Sequence, residues 1–155
     1  MKPLLILLGV FCTLSFSASG QSLKEVRRLF HESAESEASC RQLLGMLRSA
    51  TAGKQPLYDG YRGVATMMMA NHVGNPLKKL SYFKEGRQML EEAISRDPVN
   101  LELRFLRLSV QTEAPGFLNY NQHIRADRAF VNEALGQTQD KELKQMISNF
   151  LNRKK

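Results

Sequence analysis

The chain has 155 residues, of which 43% are hydrophobic and 24% charged, with 22 Lys and Arg against 15 Asp and Glu and a formal net charge of +7. That length suffices for one domain with its own apolar core. Two cysteines exclude a fold built on a disulfide framework, and a modest positive excess spread along the chain argues against a dedicated nucleic-acid surface.

Lys2 is followed by an apolar run, Leu4 to Phe16, of about thirteen residues, the length of a signal-peptide core and short of the roughly twenty that a membrane-spanning helix needs. Ala18 and Gly20 then offer the small side chains that signal peptidase admits. The expectation is a leader over residues 1–20, cut between Gly20 and Gln21, with a retained anchor or a buried helix as the competing reading. Removal leaves 135 residues as a single helical domain, 21–155, and takes away Lys2, lowering the net charge to +6. The expected location is periplasmic or extracellular. Cys12 leaves with the leader, so Cys40 remains alone, and it reads as a small buried hydrophobe.

The rest of the chain repeats at helical spacing, with breakers between the periodic segments. Leu23, Val26, Phe30 and Ala34 form one stripe, and Cys40, Leu43, Leu44 and Leu47 continue it after Ser36, either in a second helix or in an extension of the first. A loop follows over Ser49–Gln55. Pro56 opens a third helix running to about Val73, where Gly60 and Gly63 imply a close neighbouring helix. Gly74 is expected to take a left-handed turn, Asn75 to cap and Pro76 to open a fourth helix that ends near Arg96. Asn100 caps a fifth, Leu101 to about Thr112, apolar nearly all round and therefore central. A loop over Glu113–Asn119 precedes a sixth helix, about Asn121 to Leu135, and a seventh, about Asp140 to Asn152. The predicted fold is all-α, with six or seven helices in antiparallel hairpins.

The stretch LEEAISRDPVNLELRF, Leu90 to Phe105, resembles the junction between two tetratricopeptide repeats. Ala93 stands at the small packing position, Pro98 at the turn and Asn100 at the cap, while Gly74 and Gly86 suit the other small positions. Arg104 and Arg107-Leu108 depart from the pattern, and the starts at Pro56 and Val99 lie 43 residues apart rather than the 34 of that repeat. The resemblance implies a tetratricopeptide-like or irregular helical array. The longer pattern GYRGVATMMMANH, NPLKKLSYFKEG, LRFLRLSVQ and PGFLNYN is similar to small exported proteins of Bacteroidetes-type bacteria, which implies export and helical architecture but no mechanism.

No nucleophile elbow, phosphate loop or dinucleotide motif is present, nor any His or Cys pair at metal-ligand spacing, so neither a catalytic residue, a cofactor nor a metal is assigned. His31, Glu32 and Glu35 read as a solvated face, and His72 as a helix-end cap. Glu91 and Glu92 read as exposed carboxylates. Arg104 and Arg107 share a face of the central helix and need partners: an internal ion pair to Asp127, Glu102 or Asp97, or an anionic ligand held in a groove. Tyr58, Tyr61, Arg62 and Asn71, with Tyr120 and Asn121, are the side chains expected to line such a groove with Arg104 and Arg107. Of Met67, Met68 and Met69, some are core and others an adaptable binding surface. The expected function is a non-catalytic cell-envelope module binding a peptide or protein partner. The alternative is a small-ligand binder or enzyme using Arg104 and Arg107. Contact with anionic lipid or polymer through the scattered basic residues is expected to be weak.

Overall fold

Proline, asparagine and serine set four of the helix starts in the computed structural model, which describes residues 18–50 and 55–153. Seven α-helices and no strand occur among them: α1 (Ala18–Ser33), α2 (Glu37–Ala50), α3 (Pro56–Met68), α4 (Pro76–Arg96), α5 (Leu101–Glu113), α6 (Ile124–Leu135) and α7 (Lys141–Arg153). Pro56 and Pro76 occupy first-turn positions where the missing N–H has no partner to lose. The Asn75 carboxamide accepts from the N–H groups of Leu77 and Lys78 at 2.9 and 3.2 Å. Asn100 does the same for Glu102 and Leu103, both at 3.1 Å. The Ser36 hydroxyl accepts from the Ser39 N–H at 3.1 Å, and α1 and α2 are therefore separate helices. The expected leader core, Leu4 to Phe16, lies outside the described residues, and α1 runs unbroken across the Gly20–Gln21 bond.

Three expectations about breaks are corrected. The α-helix that starts at Pro56 ends at Met68 and tightens into a 3₁₀ turn, Met69–His72. Gly74 takes no left-handed conformation, because Val73 is already extended and ends the turn, and a side chain at Gly74 would meet open space. The sixth helix begins at Ile124, three residues later than expected. The chain first makes a short 3₁₀ turn, Gly116–Leu118, and reverses at Asn119 (φ 47°), the left-handed residue that a short polar side chain tolerates.

Helix α5 is central, as its all-round apolar sequence requires. Leu103 and Leu106 enter a larger core built with α1 to α4, whereas Phe105 and Leu108 enter a second cluster with Val131, Leu143, Ile147 and Phe150 of α6 and α7. Helices α3 and α4 cross closely at Gly63 and Gly86. A Cβ on Gly63 would lie 2.7 Å from the Gly86 carbonyl oxygen and 2.8 Å from the Leu90 nitrogen, which is the physical reason both positions lack a side chain. Ala93 is wholly buried in the same core, and Cys40 lies there too, its thiol 3.2 Å from the Ala65 carbonyl oxygen. Burial pushes the Cys40 thiol pKa up, keeping it an unreactive thiol.

Candidate functional site: a groove braced by buried ion pairs

The helices enclose a half-open groove of about 1930 Å³ with a largely apolar lining. Helix α1 presents Phe30, α3 presents Val64, Met67 and Met68, and α4 presents Leu80 and Phe83. Phe105 and Val110 come from α5, and Met146 and Phe150 from α7. Pro115, Phe117 and Leu118, on the segment after α5, form a lip, with Phe117 80% exposed.

Four of these phenylalanines sit in three edge-on aromatic pairs. Phe30 meets Tyr61 at 5.4 Å between centroids, Phe83 meets Tyr120 at 5.8 Å, and Phe105 meets Phe150 at 5.5 Å. The two tyrosines are in turn fixed from behind. The Tyr61 hydroxyl donates to Glu102, whose carboxylate accepts two parallel bonds of 2.7 Å from the Arg27 guanidinium. The Tyr120 hydroxyl donates to Glu91 at 2.5 Å, and Glu91 accepts from Arg107 at 2.8 Å. Two Arg–Glu–Tyr–Phe relays thus lead from buried charge to the groove wall. Desolvation raises the pKa of both phenols well above the ordinary value, with the neighbouring carboxylate adding to it, so each phenol stays a donor.

The eight side chains singled out from the sequence do not converge on this groove. Asn71 lines it, and the other seven do not. Tyr58, Tyr61 and Tyr120 are buried, and Asn121 is exposed elsewhere. Arg62 pairs with Asp59 at 3.2 Å beside a shallow hollow of about 360 Å³. Arg104 and Arg107 both bind the wholly buried Asp127, Arg107 through two bonds of 2.6 and 2.9 Å. Arg104 also lies over the Phe130 ring at 4.6 Å. The internal ion pair is therefore the arrangement adopted, with Asp127 as the partner, and both guanidiniums are turned to carboxylates of their own chain.

Two other readings change with the geometry. Glu91 is not a simple exposed carboxylate, because it joins Arg107 to Tyr120, whereas Glu92 is exposed. His72 caps a helix end, but that of α1: its Nε2 lies 2.8 Å from the Ser33 carbonyl oxygen. Met67 and Met69 are both core, Met67 with its remaining edge at the groove, while Met68 is half-buried on the lining. His31, Glu32 and Glu35 are exposed at the groove mouth.

Arg27 is a site residue beyond those expected from the sequence. The signal was available: Arg27 falls within a turn of Val26 and Phe30 on the buried stripe, and Glu102 opens the otherwise apolar α5. No group of three or more His, Cys, Asp or Glu among the described residues is placed to hold a metal ion. No protein-family model, no curated protein and no solved structure matches the chain.

Proposed function

We propose that the protein is a non-catalytic interaction module of the cell envelope, which receives a segment of a protein partner in the groove between α1, α4, α5 and α7. The observation that carries this reading is the groove itself, with braced aromatic rings and methionines in its walls. Its volume, about 1930 Å³, is about twice the upper end of the roughly 300–1,000 Å³ usual for small-molecule pockets. Methionine side chains adapt to varied apolar partners, and edge-on aromatic packing fixes the surface they are presented on. We read the hairpins around Ala93, Pro98 and Asn100 as a degenerate tetratricopeptide-like array, an architecture suited to presenting a concave face. Export through a cleaved 1–20 leader belongs to the same proposal, and the N-terminal residue of protein recovered outside the cytoplasm tests it, with Gln21 expected.

Photo-crosslinking in the producing cell tests the groove. A photoreactive residue at Met68 or Asn149, both on the lining, is expected to give a discrete adduct with one partner. The same residue at Gln88 or Glu133, exposed elsewhere, is expected to give none. Equal labelling at all four positions, or none at the first two, overturns the proposal.

A further inference from the structure

The charge around the groove selects among partners. On the α1 side two carboxylates are already engaged, since Arg28 binds Glu25 and Glu32, both at 2.6 Å, and Glu35 lies exposed at the mouth just beyond the helix. Glu142 of α7 is engaged by Arg27 at 3.2 Å. The α4 wall differs, contributing Lys79, Lys84 and Arg87 to the lining and no carboxylate. Lys79 and Lys84 are exposed and, like Lys24 and Arg153 at the other margins, make no ion pair among the described residues. Arg87 lies with its guanidinium 4.7 Å from the Tyr120 ring centroid, held at the wall. Between these cations lie Leu80, 38% exposed, and the edge of Phe83. The wall is therefore cationic above and apolar below.

The groove also selects the conformation of its occupant. The walls are helices and short 3₁₀ turns and offer no strand edge among the described residues, so an extended peptide would find only scattered side-chain partners, such as Asn71 and Asn149, for its backbone N–H and C=O groups. A helix satisfies those groups internally and presents anchors at i, i+3, i+4 and i+7. We infer that the occupant is an amphipathic helix of a partner protein, with an apolar face against Met68, Leu80 and the exposed edges of Phe30 and Phe83, and acidic residues along the flank that meets Lys79, Lys84 and Arg87. This inference rests on the groove being a protein-docking site and adds the chemistry of what docks.

A displayed library of amphipathic helices, with a fixed apolar face and randomised flanks, tests it against protein purified from cells expressing the whole chain. Groove-directed clones are those that lose binding to Met68→Lys, whose folding is checked by circular dichroism. Acidic flanks are expected to dominate among them, with affinity falling tenfold or more in Lys79→Glu/Lys84→Glu and weakening as salt is raised. Recovery of lysine-flanked clones by that double variant would add independent support. Groove-directed clones without acidic bias overturn the charge inference and leave the docking site standing. No groove-directed clone at all overturns both. Binding of phosphatidylglycerol vesicles that Met68→Lys abolishes, with no helix selected, assigns the groove to anionic lipid and overturns the inference.

Discussion

At the scale of single residues, most of the unusual chemistry lies behind the groove. Arg27 is 6% exposed and Glu102 4%, so neither tolerates loss of the other. Replacing Glu102 by Gln strands a buried guanidinium and is expected to cost roughly 3–5 kcal/mol, toward the lower end because Asp140 still reaches Arg27 at 2.7 Å. Tyr61→Phe removes only the donor to the carboxylate and should cost about 1.5–3 kcal/mol. Urea unfolding of both variants ranks them, and an inverted order would contradict the relay. Asp140 supplies a pH dependence. The bond from Arg27 holds its carboxyl below the usual range against some desolvation, and the Leu143 N–H adds to the lowering. A depressed pKa in the folded state means stability that is present above the unfolded value, about 3.9, and is lost as pH falls through the folded one. Because the Asp140 side chain is 39% exposed, solvent screening limits the pair to about 0.5–1 kcal/mol. Asp140→Asn retains a capping carboxamide but no charge. It should melt below the parent protein at pH 7, with the difference vanishing toward pH 2. A gap that stays constant with pH would assign the loss to packing.

At the scale of elements, glycine positions separate close packing from open surface. Helices α3 and α4 touch backbone to backbone at Gly63 and Gly86, so an added methyl group meets main-chain atoms that cannot swing aside. Alanine at either position should destabilise by about 1–3 kcal/mol. At Gly60 the added Cβ meets the end of the Leu103 side chain, which can rotate, so Gly60→Ala should cost less. Gly45 in α2 has nothing within 4 Å, and Gly45→Ala should stabilise by up to about 1 kcal/mol through helix propensity. Thermal melts of the four variants give the order directly, and equal effects at Gly45 and Gly63 would refute the crossing. The starts of α2 to α5 were legible because proline, asparagine and serine act locally, through their own ring or side-chain oxygen. The crossing was legible only as a hint at Gly60 and Gly63, since the atoms that a side chain would meet belong to Gly86 and Leu103, far along the chain. The end of α3 and the start of α6 were misplaced, because Gly74 and Asn121 carry turn preferences that the extended Val73 and the left-handed Asn119 override.

At the scale of the whole molecule, α5 belongs to both clusters, with Leu103 and Leu106 in the larger and Phe105 and Leu108 in the smaller. The all-helical class could be read in the sequence because helical stripes repeat along each segment. The groove could not, because its lining draws single faces from five helices, and each face alone reads as core or as solvated surface. Arg104 and Arg107 drew notice by being charged in an apolar helix, a property that marks an internal partner as readily as a ligand. The wall contributed by α7 rests on Leu143, Ile147 and Phe150 in the smaller cluster, with the Arg27 bonds to Asp140 and Glu142 at its N-terminal end. The opposite wall, α4, packs along the length of α3 in the larger core. Fewer buried apolar contacts mean a lower free energy of local opening, so α7 should open before α3 and α4 and admit the occupant from its own side. Hydrogen exchange is expected to show faster exchange across α7 than across α3. Ile147→Ala removes apolar volume that is fully buried; at roughly 2–5 kcal/mol it should accelerate α7 exchange by about thirtyfold or more and leave the α3–α4 amides unchanged. Equal acceleration in all three helices would mean that the two clusters unfold as one, with the groove width fixed by the fold and no movable wall.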